Sequence, residues 1–354
     1  MTTRTCLGTA FVLLAMLACL SCSRQEEAPR IDETIWVRHE GADMPAYVHG
    51  NPESNTFLVV LHGAGSYGLY FRKGLFKEIL EEKYVVVYFD QRGQSMSQGH
   101  NILRDDLLDL MADDVNALIR VLQAKYGRGE AIDFFLMGHS LGGGIGTLAL
   151  LRNDLQREIR GWISVCGALD FPAISHARPY ALMAVAQEQI DLGNSPAAWE
   201  EISLAVEDRD PENEEDYREI LKQVGKANQL LVADGVVPAV PFSDLAATTL
   251  FVNNPVTWLV TGLFNKPVNV AVSSDFSVSG RLQELALPVF LMYGKYDFSV
   301  PYLSTLFQGP GVPADLRALL FEKSGHHLYD TEPDLFVEEV VRFMEDIRKS
   351  SPRT

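Results

Sequence analysis

The sequence predicts a mostly parallel, doubly wound α/β sheet that is interrupted by a long helical segment. Apolar runs of strand length alternate with stretches of helical periodicity over residues 35–169. The alternation stops after Gly167 and resumes at Leu287. Strands that alternate with helices require right-handed crossovers, and these build a parallel sheet covered on both faces.

Composition narrows the classes of function. The chain has 354 residues, 47% of them hydrophobic, which is enough for a large core. Its 47 acidic and 30 basic residues give a net charge of -17. A charge of this sign argues against a nucleic-acid-binding protein and against electrostatic binding to anionic membranes. A cationic or amine-bearing substrate is permitted but not required.

The pattern of the N-terminal residues is typical of a targeting segment. We predict a lipoprotein-type signal peptide over residues 1–22 and a polar tether over 23–34, because the apolar run Leu7–Leu20 is too short to span a bilayer and ends abruptly in polar sequence. Cys22 at that boundary is the expected lipidated residue, and Cys19 is the alternative. The expected location is a bacterial cell envelope, as a membrane-anchored lipoprotein. A plain secretory signal would give a periplasmic or secreted protein instead.

Cysteine usage agrees with export without disulfides. Of the four cysteines, only Cys166 lies in the expected globular part of the mature protein. Its apolar setting after Trp162 predicts a buried packing role.

The first part of the core, residues 35–169, contains the alternating elements. Strands are predicted from apolar and alternating runs, and helices from recurring apolar positions. The strands are Ile35–Glu40, Met44–His49, Thr56–Leu61, Tyr84–Asp90, Asp133–Met137 and Trp162–Gly167, and the helices are Leu69–Lys83, Ile102–Tyr126 and Gly143–Leu151.

The second part of the core follows an insertion. Residues 170–280 lack the strand rhythm and are punctuated by prolines, which predicts a helical lid. The core resumes over residues 281–354, with strands at Leu287–Tyr293 and Arg317–Phe321 and a last amphipathic helix at Glu332–Lys349.

Ser140 is the predicted nucleophile. It is the centre of a Gly-x-Ser-x-Gly motif, between Gly138 and Gly142, placed where a strand turns into a helix. Such a turn strains the backbone of the serine and needs small neighbours. The alternative is a merely structural glycine turn.

Two further candidates follow later strands, where the carboxyl ends of a parallel sheet meet. His326, after Gly325, is the predicted general base that a weak serine nucleophile requires, and the adjacent His327 is expected to support the loop. Asp297 is placed to orient His326. Its alternative role is to cap the turn before Pro301. The chain order Ser, Asp, His is that of the α/β-hydrolases.

A glycine-rich loop supplies candidates for an oxyanion hole. The backbone N–H of Leu141, after the nucleophile, and that of Ala64, in His62-Gly-Ala-Gly65, could stabilise the negative charge of a tetrahedral intermediate. For the side chain of His62 we favour a structural role.

Together these motifs resemble the α/β-hydrolase superfamily. Asp90-Gln-Arg-Gly93 and Gly325-His326 are similar to the proline iminopeptidase group of serine aminopeptidases, although Ser95 and Leu141 depart from its usual residues. The resemblance implies release of an N-terminal residue, often proline, from peptides. It also implies that Glu200 and Glu201 bind the free α-amine; a solvated helix face is the alternative for this acidic run.

The sequence therefore predicts a serine hydrolase that acts through an acyl-enzyme without a metal or organic cofactor. The leading hypothesis is an aminopeptidase that acts on peptide N-termini. The alternative is a carboxylesterase or lipase-like hydrolase of small acyl esters. The second alternative is a non-catalytic binding protein on the same fold. The expected partner is a small molecule or short peptide, not nucleic acid, with membrane contact only through the N-terminal lipid. The sequence does not set an oligomeric state.

Overall fold

A nine-stranded sheet forms the centre of the computed structural model, which describes residues 30–99, 106–152, 154–240, 275–301 and 312–350. The strands are β1 (Ile31–His39), β2 (Ala42–Gly50), β3 (Thr56–Leu61), β4 (Val85–Phe89), β5 (Gln98–Gly99), β6 (Asp133–His139), β7 (Ile159–Val165), β8 (Val289–Gly294) and β9 (Leu316–Phe321).

The sheet is mostly parallel, as predicted. Its strand order is β1-β2-β4-β3-β6-β7-β8-β9, with β5 paired to β2. The six neighbouring strands β4-β3-β6-β7-β8-β9 pair in parallel. The pairs β1–β2, β2–β4 and β2–β5 are antiparallel. The chain runs outward from β3 to β4 and then returns to place β6 on the other side of β3. Ligands bind at such a switch point, beyond the carboxyl ends of the strands, which here are the ends followed by His62 and Ser140.

The first strand begins earlier than predicted. Residues 31–34, assigned to the tether from sequence, pair with β2 in the register Ile31↔Gly50. Their side chains alternate between exposed and half-buried. An edge strand that is solvated on one face carries polar residues, so its start resembles a polar linker.

Helices cover both faces of the sheet. They are α1 (Glu81–Lys83), α2 (Leu107–Tyr126), α3 (Leu141–Leu150), α4 (Phe171–Leu192), α5 (Pro196–Val206), α6 (Glu214–Ala233), α7 (Leu328–Thr331) and α8 (Pro333–Ser350). One buried apolar cluster contains α2 and α3, and a second, on the opposite face, contains α8. The predicted helix at Leu69–Lys83 is instead a 3₁₀ turn at Gly68–Phe71, a π turn at Phe76–Leu80 and α1.

The insertion between β7 and β8 contains three helices over 170–240, and at 275–280 it has an isolated bridge from Ser277 to Asp170 followed by the start of a 3₁₀ turn. Helices α4, α5 and α6 share an apolar core with Tyr296 and Phe298, which follow β8. The insertion is therefore anchored on the loop after β8.

None of the helices in the described ranges has both the length and the apolar character needed to cross a membrane. Cys19 and Cys22 lie outside the described residues.

Candidate active site

Ser140 occupies the strained turn that the motif predicts. Its φ is 54° and its ψ is -119°, between β6 and α3. The neighbouring glycines are required by close packing: a Cβ on Gly138 would lie 2.3 Å from the carbonyl oxygen of Gly142, and one on Gly142 would lie 2.4 Å from that of Leu61. The Ser140 N–H donates to the Val165 carbonyl at 3.0 Å. The surrounding strands thus stabilise a backbone conformation that a serine rarely adopts.

Asp297 and His326 are brought into direct contact. The Nδ1 of His326 lies 2.8 Å from Oδ2 of Asp297, whose side chain is fully buried. The other carboxylate oxygen accepts the N–H groups of Ser299 and Val300 at 2.8 and 3.0 Å. Asp297 thus both orients the imidazole and caps its own turn, with one oxygen for each role.

The pKa of Asp297 is lowered even though burial alone would raise it. The charge of His326 and hydrogen bonds from His326, the Val300 N–H and the Cys166 thiol more than offset the desolvation. Asp297 is therefore ionised at neutral pH. An ionised carboxylate can stabilise the imidazolium that forms when His326 takes a proton.

His139 connects the histidine loop to the nucleophile turn. Its Nε2 lies 2.9 Å from the carbonyl oxygen of His326, and the two rings are 4.6 Å apart between centroids. A carbonyl oxygen only accepts, so Nε2 of His139 carries the proton. Burial, together with the nearby His326 and His327, lowers the pKa of His139 well below its usual value. His139 precedes Ser140 directly, so this bond places His326 beside the turn.

The glycine-rich loop after β3 lies against Ser140. A Cβ added to Gly63 would be 3.1 Å from the Cβ of Ser140. The next residue is Ala64, and Leu141 is the first residue of α3, where backbone N–H groups have no partner within the helix. Both predicted oxyanion donors therefore belong to segments adjacent to the nucleophile.

Two glutamines that the sequence analysis passed over hold this loop. The amide of Gln91 donates to the His62 carbonyl at 2.6 Å, and its own N–H reaches Nε2 of His62 at 3.2 Å. The side-chain oxygen of Gln94 accepts the Gly65 N–H at 2.7 Å. His62 is fully buried, and its Nδ1 lies 2.7 Å from the Gly63 carbonyl, so its role is structural. The Asp-Gln-Arg-Gly motif was the available signal, because it follows the strand next to β3.

The charged members of the same motif are also structural. Asp90 is buried and accepts the Gly68 N–H at 2.7 Å, which anchors the far end of the loop. Arg92 forms a buried ion pair with Asp114 at 2.7 Å and bonds to the His39 carbonyl. The motif thus sets the position of the oxyanion loop relative to the sheet.

Cys166 lies beside the Asp297–His326 pair. It is fully buried, and its sulfur and one ligand atom from each of the other two side chains all lie within 4.8 Å of one another. Such a donor set could hold a metal ion in principle. In this structure the carboxylate and imidazole are hydrogen-bonded to each other, and burial raises the pKa of the Cys166 thiol well above its usual value. A protonated thiol is a hydrogen-bond donor to the carboxylate.

The predicted amine-binding residues are not brought to this site. Glu200 and Glu201 are exposed on α5, and Glu201 pairs with Lys226 of α6 at 2.9 Å. The neighbouring Trp199 is fully buried in the apolar core that α4, α5 and α6 share, where its indole N–H donates a hydrogen bond to the carboxylate of Asp234. In the described part of the chain, no hydrogen bond or ion pair links either glutamate to the triad. The solvated-face alternative describes this run better.

Comparisons with known proteins agree with the geometry. Residues 52–219 match the model of the family described as "Serine aminopeptidase, S33". RutD of Agrobacterium fabrum, whose name describes a carbamate hydrolase, is 23% identical over 305 residues, covering 84% of this chain and 96% of that protein. The chain has the α/β-hydrolase fold, and its resemblances support a hydrolase enzyme.

Solved structures of the superfamily include both peptidases and esterases that resemble this hydrolase. The proline iminopeptidase of Mycobacterium smegmatis aligns with a TM-score of 0.58 and 17% identity, covering 90% of this chain and 99% of that one. The esterase RhEst1 from a Rhodococcus species aligns with a TM-score of 0.56 and 19% identity, over 89% and 99%. At these identities the likeness extends to the fold and not to the substrate.

Proposed function

We propose that the hydrolase acts through an acyl-enzyme, with Ser140 as nucleophile, His326 as general base and Asp297 as its orienting carboxylate. The observation that carries the proposal is the 2.8 Å contact of His326 Nδ1 with Asp297, in a loop that His139 holds next to the Ser140 turn. Because Nδ1 is bonded to the carboxylate, Nε2 of His326 is the nitrogen left to accept the serine proton.

The proposed reaction assigns one step to each of these groups. The Ser140 oxygen attacks the substrate carbonyl as its proton moves to His326, and the Ala64 and Leu141 N–H groups stabilise the oxyanion. His326 then protonates the leaving group, and water releases the acyl group by the reverse sequence. Loss of one oxyanion donor typically raises the barrier by about 3–4 kcal/mol.

A fluorophosphonate probe tests the nucleophile directly. The folded wild type is expected to be labelled, and Ser140→Ala is expected to remove labelling completely. Ser203→Ala, on lid helix α5, is the matched control and should be labelled like the wild type. Absence of labelling in the folded wild type would favour a non-catalytic binding protein.

For the substrate, we propose small carboxylic esters as the first candidate. An aminopeptidase needs a carboxylate for the free α-amine, and the two glutamates expected in that role face solvent. Glu188, next to the Asp297 loop, is occupied by Lys295 at 2.9 Å. The aminopeptidase remains the second candidate, favoured by the family match over residues 52–219.

Paired substrates separate the two candidates. Turnover of p-nitrophenyl acyl esters should exceed that of proline and alanine arylamides, and acetylating the amine of an arylamide should leave its rate unchanged. Arylamide turnover that requires a free α-amine would instead establish the aminopeptidase.

We also propose that the hydrolase is exported and anchored by a lipid on Cys22, which rests on the N-terminal sequence pattern alone. Cys22→Ala should move the protein from the membrane fraction to the soluble one, whereas Cys19→Ala should not. The opposite result would place the lipid on Cys19, and no change with either variant would support a plain secretory signal.

A further inference from the structure

Arg178, on lid helix α4, is a buried cation with an unusual set of partners. It is 8% exposed. Its guanidinium donates to the carbonyls of Phe298 and Ser299 at 3.0 and 2.9 Å, and to the hydroxyl of Tyr217 at 2.8 Å. Within the described residues no carboxylate pairs with Arg178. A buried charge is costly without compensation, so these neutral acceptors call for an explanation.

The two carbonyls belong to the peptide groups that bind Asp297. The first peptide joins the Phe298 carbonyl to the Ser299 N–H, and the second joins the Ser299 carbonyl to the Val300 N–H. Each carbonyl accepts from Arg178, and each N–H donates to Oδ1 of Asp297. Both peptide dipoles therefore point from the cation toward the carboxylate, and hydrogen bonds in such a chain polarise one another.

We propose that Arg178 is a positioning residue for the triad, which acts on Asp297 through these two peptide groups and links the lid to the catalytic carboxylate. This inference rests on the proposed role of Asp297. A guanidinium suits the task because its planar fork can bond two adjacent carbonyls at once, which a lysine ammonium does less well.

The arrangement has a consequence for the lid. Phe298 is 1% exposed and packs in the apolar core of α4, α5 and α6, so the acid loop is held by the insertion through both its side chain and its carbonyls. Displacing α4 would remove Arg178 from the two carbonyls and free the turn that aims Asp297 at His326. The geometry of the triad therefore depends on a seated lid.

Three variants test the proposal, with p-nitrophenyl acetate as substrate and fluorophosphonate inactivation as a second readout. Arg178→Met should lower kcat and the inactivation rate by about 10- to 100-fold with little change in KM, because a displaced acid loop misaligns the triad. Arg178→Lys should remain impaired. Tyr217→Phe removes only the third partner and should stay close to the wild type, and Arg209→Ala, an exposed lid arginine paired with Asp216, is the control.

Chemical rescue separates positioning from a general loss of stability. Guanidinium ion, at concentrations far below those that unfold the protein, should restore part of the activity of Arg178→Ala, and sodium chloride at equal ionic strength should not. Wild-type kcat in folded Arg178→Met would overturn the inference, as would a loss that guanidinium leaves unchanged. If Asp297→Ala keeps full activity, the proposed triad itself fails, whereas an inactive Asp297→Ala beside a fully active Arg178→Met refutes this inference alone.

Discussion

Replacing His139 by glutamine should alter how stability depends on pH. His139 is 4% exposed, and its ring centroid lies 4.6 and 5.4 Å from those of His326 and His327. Its pKa is lowered by burial first and by the charges of these two histidines and of His62 next. Glutamine can present an amide N–H near the position of Nε2, so the bond to the His326 carbonyl can be kept while the titration is removed.

The sign and size follow from linkage. The folded protein keeps His139 neutral, whereas in the unfolded chain this histidine binds a proton near pH 6.5. The stability that the neutral ring contributes is therefore complete above about pH 6.5. It is lost as the pH falls toward the pKa of His139 in the folded protein. One proton corresponds to about 1.4 kcal/mol per pH unit. Between about pH 8 and pH 5 the wild type should therefore lose about 2 kcal/mol more than His139→Gln.

Urea unfolding followed by intrinsic fluorescence across that pH range measures the difference. His176→Gln, an exposed lid histidine near Glu212, is the control and should run parallel to the wild type. Fluorophosphonate labelling at about pH 8 should remain in His139→Gln, since the donor to His326 is conserved. Parallel stability curves for wild type and His139→Gln would show that His139 titrates equally in both states, and the reasoning would be wrong.

Four other substitutions test the surroundings of the site and the helices of the insertion. Gln94→Met removes the side-chain acceptor of the Gly65 N–H in the loop after β3 and should cost about 0.5–1.5 kcal/mol of unfolding free energy with a roughly tenfold fall in kcat/KM, measured by urea unfolding and ester turnover. Gly142→Ala forces a Cβ to within 2.4 Å of a backbone carbonyl oxygen, so it should lower the free energy of unfolding by about 1–3 kcal/mol or prevent folding. Gly225→Ala has open space on lid helix α6 and should raise the free energy of unfolding by about 0.4–1 kcal/mol. Melting temperatures equal to that of the wild type would contradict both predictions. Glu201→Gln breaks an exposed pair and should leave ester and arylamide turnover within about twofold of the wild type; loss of arylamide turnover alone would restore the amine-binding role.

The sheet and the triad loops could be predicted because local sequence encodes them. Long apolar runs defined β3, β4 and β8 to within two residues. Ser140 was predicted from the Gly-x-Ser-x-Gly motif, and Asp297 and His326 from the rule that ligands bind beyond the carboxyl ends of parallel strands. The helix at 69–83 was predicted wrongly, because helical periodicity does not separate a regular helix from the 3₁₀ and π turns found there.

The sequence analysis left the lid glutamates open between amine binding and a solvated helix face, although the burial pattern expected of the helix could have decided between them. Trp199, Ile202 and Val206 are buried at helical spacing and define the inner face of α5. Residues one and two positions after Trp199 must then turn away from that face. The contacts of Gln91 and Arg178 are a different matter, because each joins loops or elements that lie far apart in the chain, and a single sequence carries no record of such pairs.

The groups that set the site are bound to one another mainly through main-chain atoms. The Ser140 carbonyl accepts the N–H of Ala168 at 2.9 Å, His139 binds the main chain of His326, and Arg178 binds that of the acid loop. Main-chain groups are present whatever the side chain, so residues that line the substrate pocket can vary while the three loops keep their positions. A fold held in this way does not by itself specify a substrate, which agrees with the presence of both peptidases and esterases among the solved structures of this fold.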